Sequence, residues 1–151
     1  MTPWTHLLEA LHSSLIDEIN TLLPNDKPEL GLPRRLAQWE LPEREISDIA
    51  LTLVEFEKAG GAATRGLIGL GLTESASRRI GMDSSKLWAC IVQRAATEFV
   101  RREIRPRLQF HGELEGDERA TLPAGIPQPS RVVWIPLRLP DGGMIFLGLG
   151  A

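Results

Sequence analysis

The chain has 151 residues, 42% of them hydrophobic and 25% charged, the size and balance of one globular domain with a buried core. Lys+Arg 17 against Asp+Glu 20 leave a net charge of -3, so no basic field holds a polyanion and generic nucleic-acid binding is disfavoured. Cys90 is a lone cysteine and His6, His12 and His111 have no ligand spacing, which excludes a disulfide framework and a structural zinc site.

The N-terminal stretch is amphipathic and interrupted by Glu9, Asp17 and Glu18. That is neither a signal-peptide core nor a bilayer span, so the reading is a cytoplasmic protein with no membrane segment. Leu8, Leu11, Leu15, Ile19 and Leu22 recur at helical spacing, and Pro24-Asn25-Asp26 closes the pattern. Pro28, Pro33 and Pro42 around Gly31 then make Lys27 to Glu45 a surface connector with only short regular structure, Leu36 and Trp39 tucking against the core.

Ser47 to Phe56 and Arg65 to Thr73 are apolar runs separated by Gly60-Gly61, the pattern of two strands joined by a glycine turn. Gly66, Gly69 and Gly71 weaken the second strand's own propensity, which points to close approach by another backbone or a packed helix. A short helix from Glu74 to Ile80 ends at Gly81, and Asp83 or Ser84 caps a long helix reaching about Ile104 before Pro106. Leu87, Ile91, Val92, Ala95 and Phe99 form its expected buried stripe, with Trp88 beside it. Arg94, Thr97, Glu98, Arg101, Arg102 and Arg105 lie outward. Glu98 and Glu103 are placed to pair with the arginines, so a solvated face outweighs a phosphate site.

Gln109 to Leu114 is a further strand candidate, followed by an acidic turn and a connector spaced by Pro123, Pro127 and Pro129. Arg131 to Leu139, the turn Pro140-Asp141-Gly142-Gly143, and Met144 to Leu149 make the strongest hairpin signal in the chain. This order of elements predicts an α+β fold, an antiparallel sheet with helices packed on it, within a single domain over residues 1–151.

The segment Arg65-Gly-Leu-Ile-Gly-Leu-Gly-Leu-Thr-Glu-Ser-Ala-Ser-Arg-Arg-Ile80, the long helix from Ser84 and the closing Val133-Trp-Ile-Pro-Leu-Arg-Leu-Pro-Asp-Gly-Gly-Met-Ile-Phe-Leu147 resemble the CheC/CheX chemotaxis phosphatase family. The resemblance covers most of the chain. It implies the pseudo-repeated architecture shared with the FliM middle domain, two helix-plus-strand halves on one antiparallel sheet. It also implies removal of the aspartyl phosphate from a CheY-like response regulator, whose own Mg2+ would be the only metal needed. In that family each phosphatase helix carries Asp or Ser, three residues, Glu, two residues, Asn. Positions i, i+4 and i+7 share one helix face, so acid and amide can enter the partner's site together. The acid would hold a lysine of the regulator, and the amide would orient the attacking water.

In the second half the register puts Arg94 where the family has Glu and Thr97 where it has Asn, so this half looks inactive. Shifting by one residue gives Gln93 and Ala96, which restores nothing. In the first half Ser13, Asp17 and Asn20 keep the spacing, with Asp one methylene shorter than Glu. A Ser, an Asp and an Asn on the exposed stripe of an amphipathic helix also arise often by chance, and a solvated face is the commoner reading. His12 lacks a nucleophile motif to serve and reads as a surface histidine; Cys90 reads as a small core hydrophobe. The glycines 66 to 71 form no dinucleotide or P-loop fingerprint.

Three functions stay open. The first is a response-regulator phosphatase working from Ser13, Asp17 and Asn20. The second is a phosphatase-inactive adaptor that docks a receiver domain or another signalling protein. The third is an interaction protein whose open sheet edge makes a homodimer.

Overall fold

A computed structural model describes residues 2–57 and 63–151; the Gly60-Gly61 turn lies outside the described residues. Helix α1 (Pro3–Leu22) starts where Thr2 accepts a hydrogen bond from the Thr5 backbone amide, with Pro3 in the first turn. It buries Leu7, Ala10, Leu11, Leu15 and Ile19, while Leu8 and Leu22 are only half-buried. Each fully buried leucine or isoleucine of this stripe contributes about 1.5–3 kcal/mol. The proline-spaced connector holds two short strands, β1 (Glu29–Leu30) and β2 (Arg34–Leu36).

Strands β3 (Ile46–Glu57) and β4 (Ala63–Thr73) pair antiparallel. Thr73 ends β4, caps helix α2 (Glu74–Ile80), and accepts a hydrogen bond from the Met144 amide, tying the helix start to the sheet. Gly81 ends α2 at φ 78, a conformation that favours a residue without Cβ. Asp83 caps helix α3 (Ser84–Arg101), which stops three residues short of Ile104. Its buried residues include Leu87, Trp88, Ile91 and Ala95, whereas Val92 and Phe99 are half-buried. Strands β5 (Arg107–Glu115), β6 (Val132–Arg138) and β7 (Met144–Gly150) follow, with a 3-10 turn at Gly116–Arg119. In the β6–β7 turn the Asp141 carboxylate accepts from the Gly143 amide, and Gly142 takes φ 95.

All pairings are antiparallel, in the order β1-β6-β7-β4-β3-β5, with β2 also on β6. The α+β expectation is met, and the repeat has a definite form. Each half is a helix, a flanking segment of strand, then a hairpin: α1, β1/β2, β3–β4; and α3, β5, β6–β7. The flanking strands cross over, because β1/β2 pair with the second hairpin and β5 with the first.

The sheet buries both faces. One lies under α1, α2 and α3. The other is covered by the two proline-spaced connectors, through Trp39, Leu41, Leu122 and Ile126. The Trp39 indole donates to the Arg119 carbonyl at 2.9 Å and the Trp134 indole to the Glu40 carbonyl at 3.1 Å. These bonds satisfy the only polar atom of each buried ring. The close approach expected at the glycines of β4 takes two forms: a Cβ on Gly69 would lie 2.9 Å from the rings of both Trp134 and Trp39. A Cβ on Gly66 would meet the Gly150 carbonyl at 2.6 Å and Trp4 of α1 at 2.7 Å.

Candidate functional site

Helices α1 and α3 lie side by side and run antiparallel. Arg102 of α3 meets Glu9 of α1 at 2.7 Å and approaches His6 Nδ1 at 3.4 Å, while Arg94 meets Glu18 at 2.9 Å. The arginine face is therefore only partly solvated. Arg101 and Arg102 both reach Glu98, at 2.7 and 3.4 Å, as the helical spacing predicts, but Glu103 is in none of the ion pairs of the described residues. Hydrogen bonding by Arg101 lowers the Glu98 carboxyl below its usual range, and Glu9 raises the Arg102 guanidinium. Arg94 and Arg102 join the two helices across sequence distances that no periodicity could connect.

Ser13, Asp17 and Asn20 are all exposed on α1, while Ser14, Leu15 and Ile19 between them are buried. The three thus share the outward stripe of the helix, as the i, i+4, i+7 spacing requires. Arg94 and Thr97 are exposed on the neighbouring helix. A guanidinium and a hydroxyl stand there, with no carboxylate to receive a lysine and no amide to hold a water.

Two sequence readings need correction. His12 is half-buried, its Nε2 has no hydrogen-bond partner among the described residues, and burial lowers its pKa, so it is not a surface histidine. Cys90 is half-buried, at the edge of the α3 stripe rather than within the core.

The sequence reading also passed over Asp48. It lies on the helix-covered side of β3 in step with Ala50, Val54 and Phe56, and only 9% of it is exposed. A charged residue at the apolar parity of a strand was the available signal. Burial pushes its carboxyl above the ordinary range, and the charges of Glu113 and Asp83 reinforce this. The folded protein therefore holds this proton more tightly than the unfolded chain, and the contribution to stability is greatest at low pH and lost as pH rises through the raised value. Asp48→Asn is expected to melt higher than the wild type at pH 7, with the gap shrinking towards pH 4. Melting curves at the two pH values check this, and a pH-independent gap would contradict it.

Among the described residues, no group of three or more His, Cys, Asp or Glu is placed to hold a metal ion. No helix among them is long and apolar enough to cross a membrane.

The crossed flanking strands and the paired helices define a fold class, that of the CheX and CheC-like chemotaxis proteins and the FliM middle domains. The chemotaxis protein CheX from Vibrio vulnificus is similar over 93% of this chain and 95% of its own, with TM-score 0.60 and 12% identity. CheX in the CheX-CheY-BeF3-Mg+2 complex from Borrelia burgdorferi is similar over 95% and 96%, with TM-score 0.51 and 13% identity. The FliM middle domain from H. pylori is similar over 98% and 91%, with TM-score 0.58 and 8% identity. No family model and no curated protein matches the sequence.

Proposed function

We propose that this protein docks a phosphorylated CheY-like receiver domain on the α1–α3 face and hydrolyses its aspartyl phosphate from α1 alone. The observation that carries the reading is the exposed stripe of Ser13, Asp17 and Asn20, on a fold that in Borrelia burgdorferi CheX is found in complex with CheY. The Asp17 carboxylate pairs with a lysine of the receiver. The Asn20 amide holds a water in line with the acyl-oxygen to phosphorus bond. Water attacks phosphorus, that bond breaks, and the products are the receiver's free carboxylate and inorganic phosphate. The Mg2+ that neutralises the phosphoryl oxygens belongs to the receiver, and this chain supplies no cofactor.

The second reading is an adaptor that binds the receiver without hydrolysis, favoured by Arg94 and Thr97 on the companion helix. A homodimer through the open edge of β5 is compatible with either, because among the described residues only one side of that strand is paired.

Phosphate release from a Mg2+-loaded CheY-like receiver phosphorylated with acetyl phosphate separates these readings. The wild-type chain should accelerate release, and Asp17→Ala and Asn20→Ala should each lower the acceleration about 100-fold. Both side chains are exposed, so each variant should keep its stability within about 0.5 kcal/mol. Binding without acceleration supports the adaptor. A large fall in the melting temperature of Asn20→Ala would mean that the residue is structural.

A further inference from the structure

We infer that Arg94 is a positioning residue for the α1 stripe: from the neighbouring helix it pins the two turns that present Asp17 and Asn20. This deepens the hydrolytic reading above and rests on it. Arg94 Nε donates to Glu18 Oε2 at 2.9 Å, and Arg94 Nη2 approaches the same oxygen at 2.9 Å and Thr21 Oγ1 at 3.5 Å. Glu18 and Thr21 immediately follow Asp17 and Asn20 in sequence. The Thr21 hydroxyl also donates to the Asp17 carbonyl at 2.9 Å. One guanidinium therefore grips α1 beside both residues and, through Thr21, reaches the backbone of one of them.

The grip falls where α1 most needs it. The helix ends at Leu22 with no basic residue in its last turn, so its terminal carbonyls get no compensating cation from their own helix. Arg94 supplies that charge from outside. Its partner carboxylate is well shielded, with the Glu18 side chain 12% exposed against 39% for Arg94. An ion pair at such a surface adds little global stability, but it can select a rotation. Turning α1 by about 10° moves a side-chain tip roughly 6 Å from the axis by about 1 Å, and a displacement of that size can cost about 100-fold where positioning carries the rate. The residue that departs from the phosphatase pattern on α3 thus serves the pattern on α1.

Two measurements on the full chain test this: phosphate release from the acetyl-phosphate-treated receiver, and hydrogen exchange of the backbone amides of residues 17–22. Arg94→Gln should lower kcat about 10-fold or more with KM changed less than about 3-fold, and exchange at these amides should quicken. Combining Glu18→Arg with Arg94→Glu should restore the slow exchange, which a simple loss of fold would not; exchange is the readout for this pair, because Arg94→Glu also returns a carboxylate to the α3 position that carries one in the phosphatase pattern. Unchanged kcat and exchange in Arg94→Gln would overturn the positioning role, as would a rise in KM alone, which would make Arg94 a docking contact. If the wild-type chain releases no phosphate, the hydrolytic reading falls by itself. Exchange then decides the Arg94 grip, faster in Arg94→Gln if it holds and unchanged if it does not.

Discussion

Gly148→Ala is expected to destabilise the protein by about 3 kcal/mol, at the upper end of overpacking costs. A Cβ at this position would lie 2.5, 2.6 and 2.8 Å from three atoms of the Trp134 ring. Trp134 is 0% exposed and tilted against Trp39 with ring centroids 5.2 Å apart, so the indole has no free side to move into. The register explains the contact. Trp134 of β6 stands opposite Gly148 of β7, which stands opposite Gly69 of β4, so the ring lies across two neighbouring strands that lack side chains there. For a chain of this length the loss corresponds to a fall in Tm of about 10 °C. Trp134→Ala should cost about 3–5 kcal/mol by leaving a cavity. Gly148→Ala combined with Trp134→Leu should cost less than the sum of the two single changes, because the smaller side chain gives the new methyl room. Strict additivity in denaturant titrations would refute this account of the glycine pair.

Asp17→Glu is expected to raise phosphate release from the receiver, by as much as about 100-fold if reach alone limits the native residue. The added methylene extends the carboxylate by roughly 1 Å towards the partner's lysine. Asp17 is exposed, so nothing in the core resists the longer side chain. The same change in an Asn20→Ala background should yield little, because the water would have no amide to hold it. A rate that does not rise for Asp17→Glu, together with a wild-type rate that is already substantial, would show that the shorter acid is matched to its own receiver.

Local chemistry carried much of the fold in plain view. The Leu11, Leu15, Ile19 period, the Asp83 cap, the stop at Gly81 and the Pro140-Asp141-Gly142-Gly143 turn each depend on atoms within a few residues, and each stands where the sequence implies. The exposed stripe of Ser13, Asp17 and Asn20 was legible for the same reason, since helical spacing alone sets which residues share a face. Asp48 was half legible: its parity in β3 marks it as inward, but the Glu113 and Asp83 charges that act on it come from distant positions of the chain.

The sequence by itself therefore determined the three helices, the main strands, the Asp83 cap and the polar stripe of α1, because backbone hydrogen bonding and side-chain periodicity act over three or four residues. Only the tertiary structure decided that β1/β2 and β5 exchange hairpins, that Trp134 rests on Gly148 and Gly69, and that Arg94 grips Glu18 across 76 positions of chain. Those arrangements follow from burying both faces of one sheet at once, a condition set by the whole chain that no local window contains.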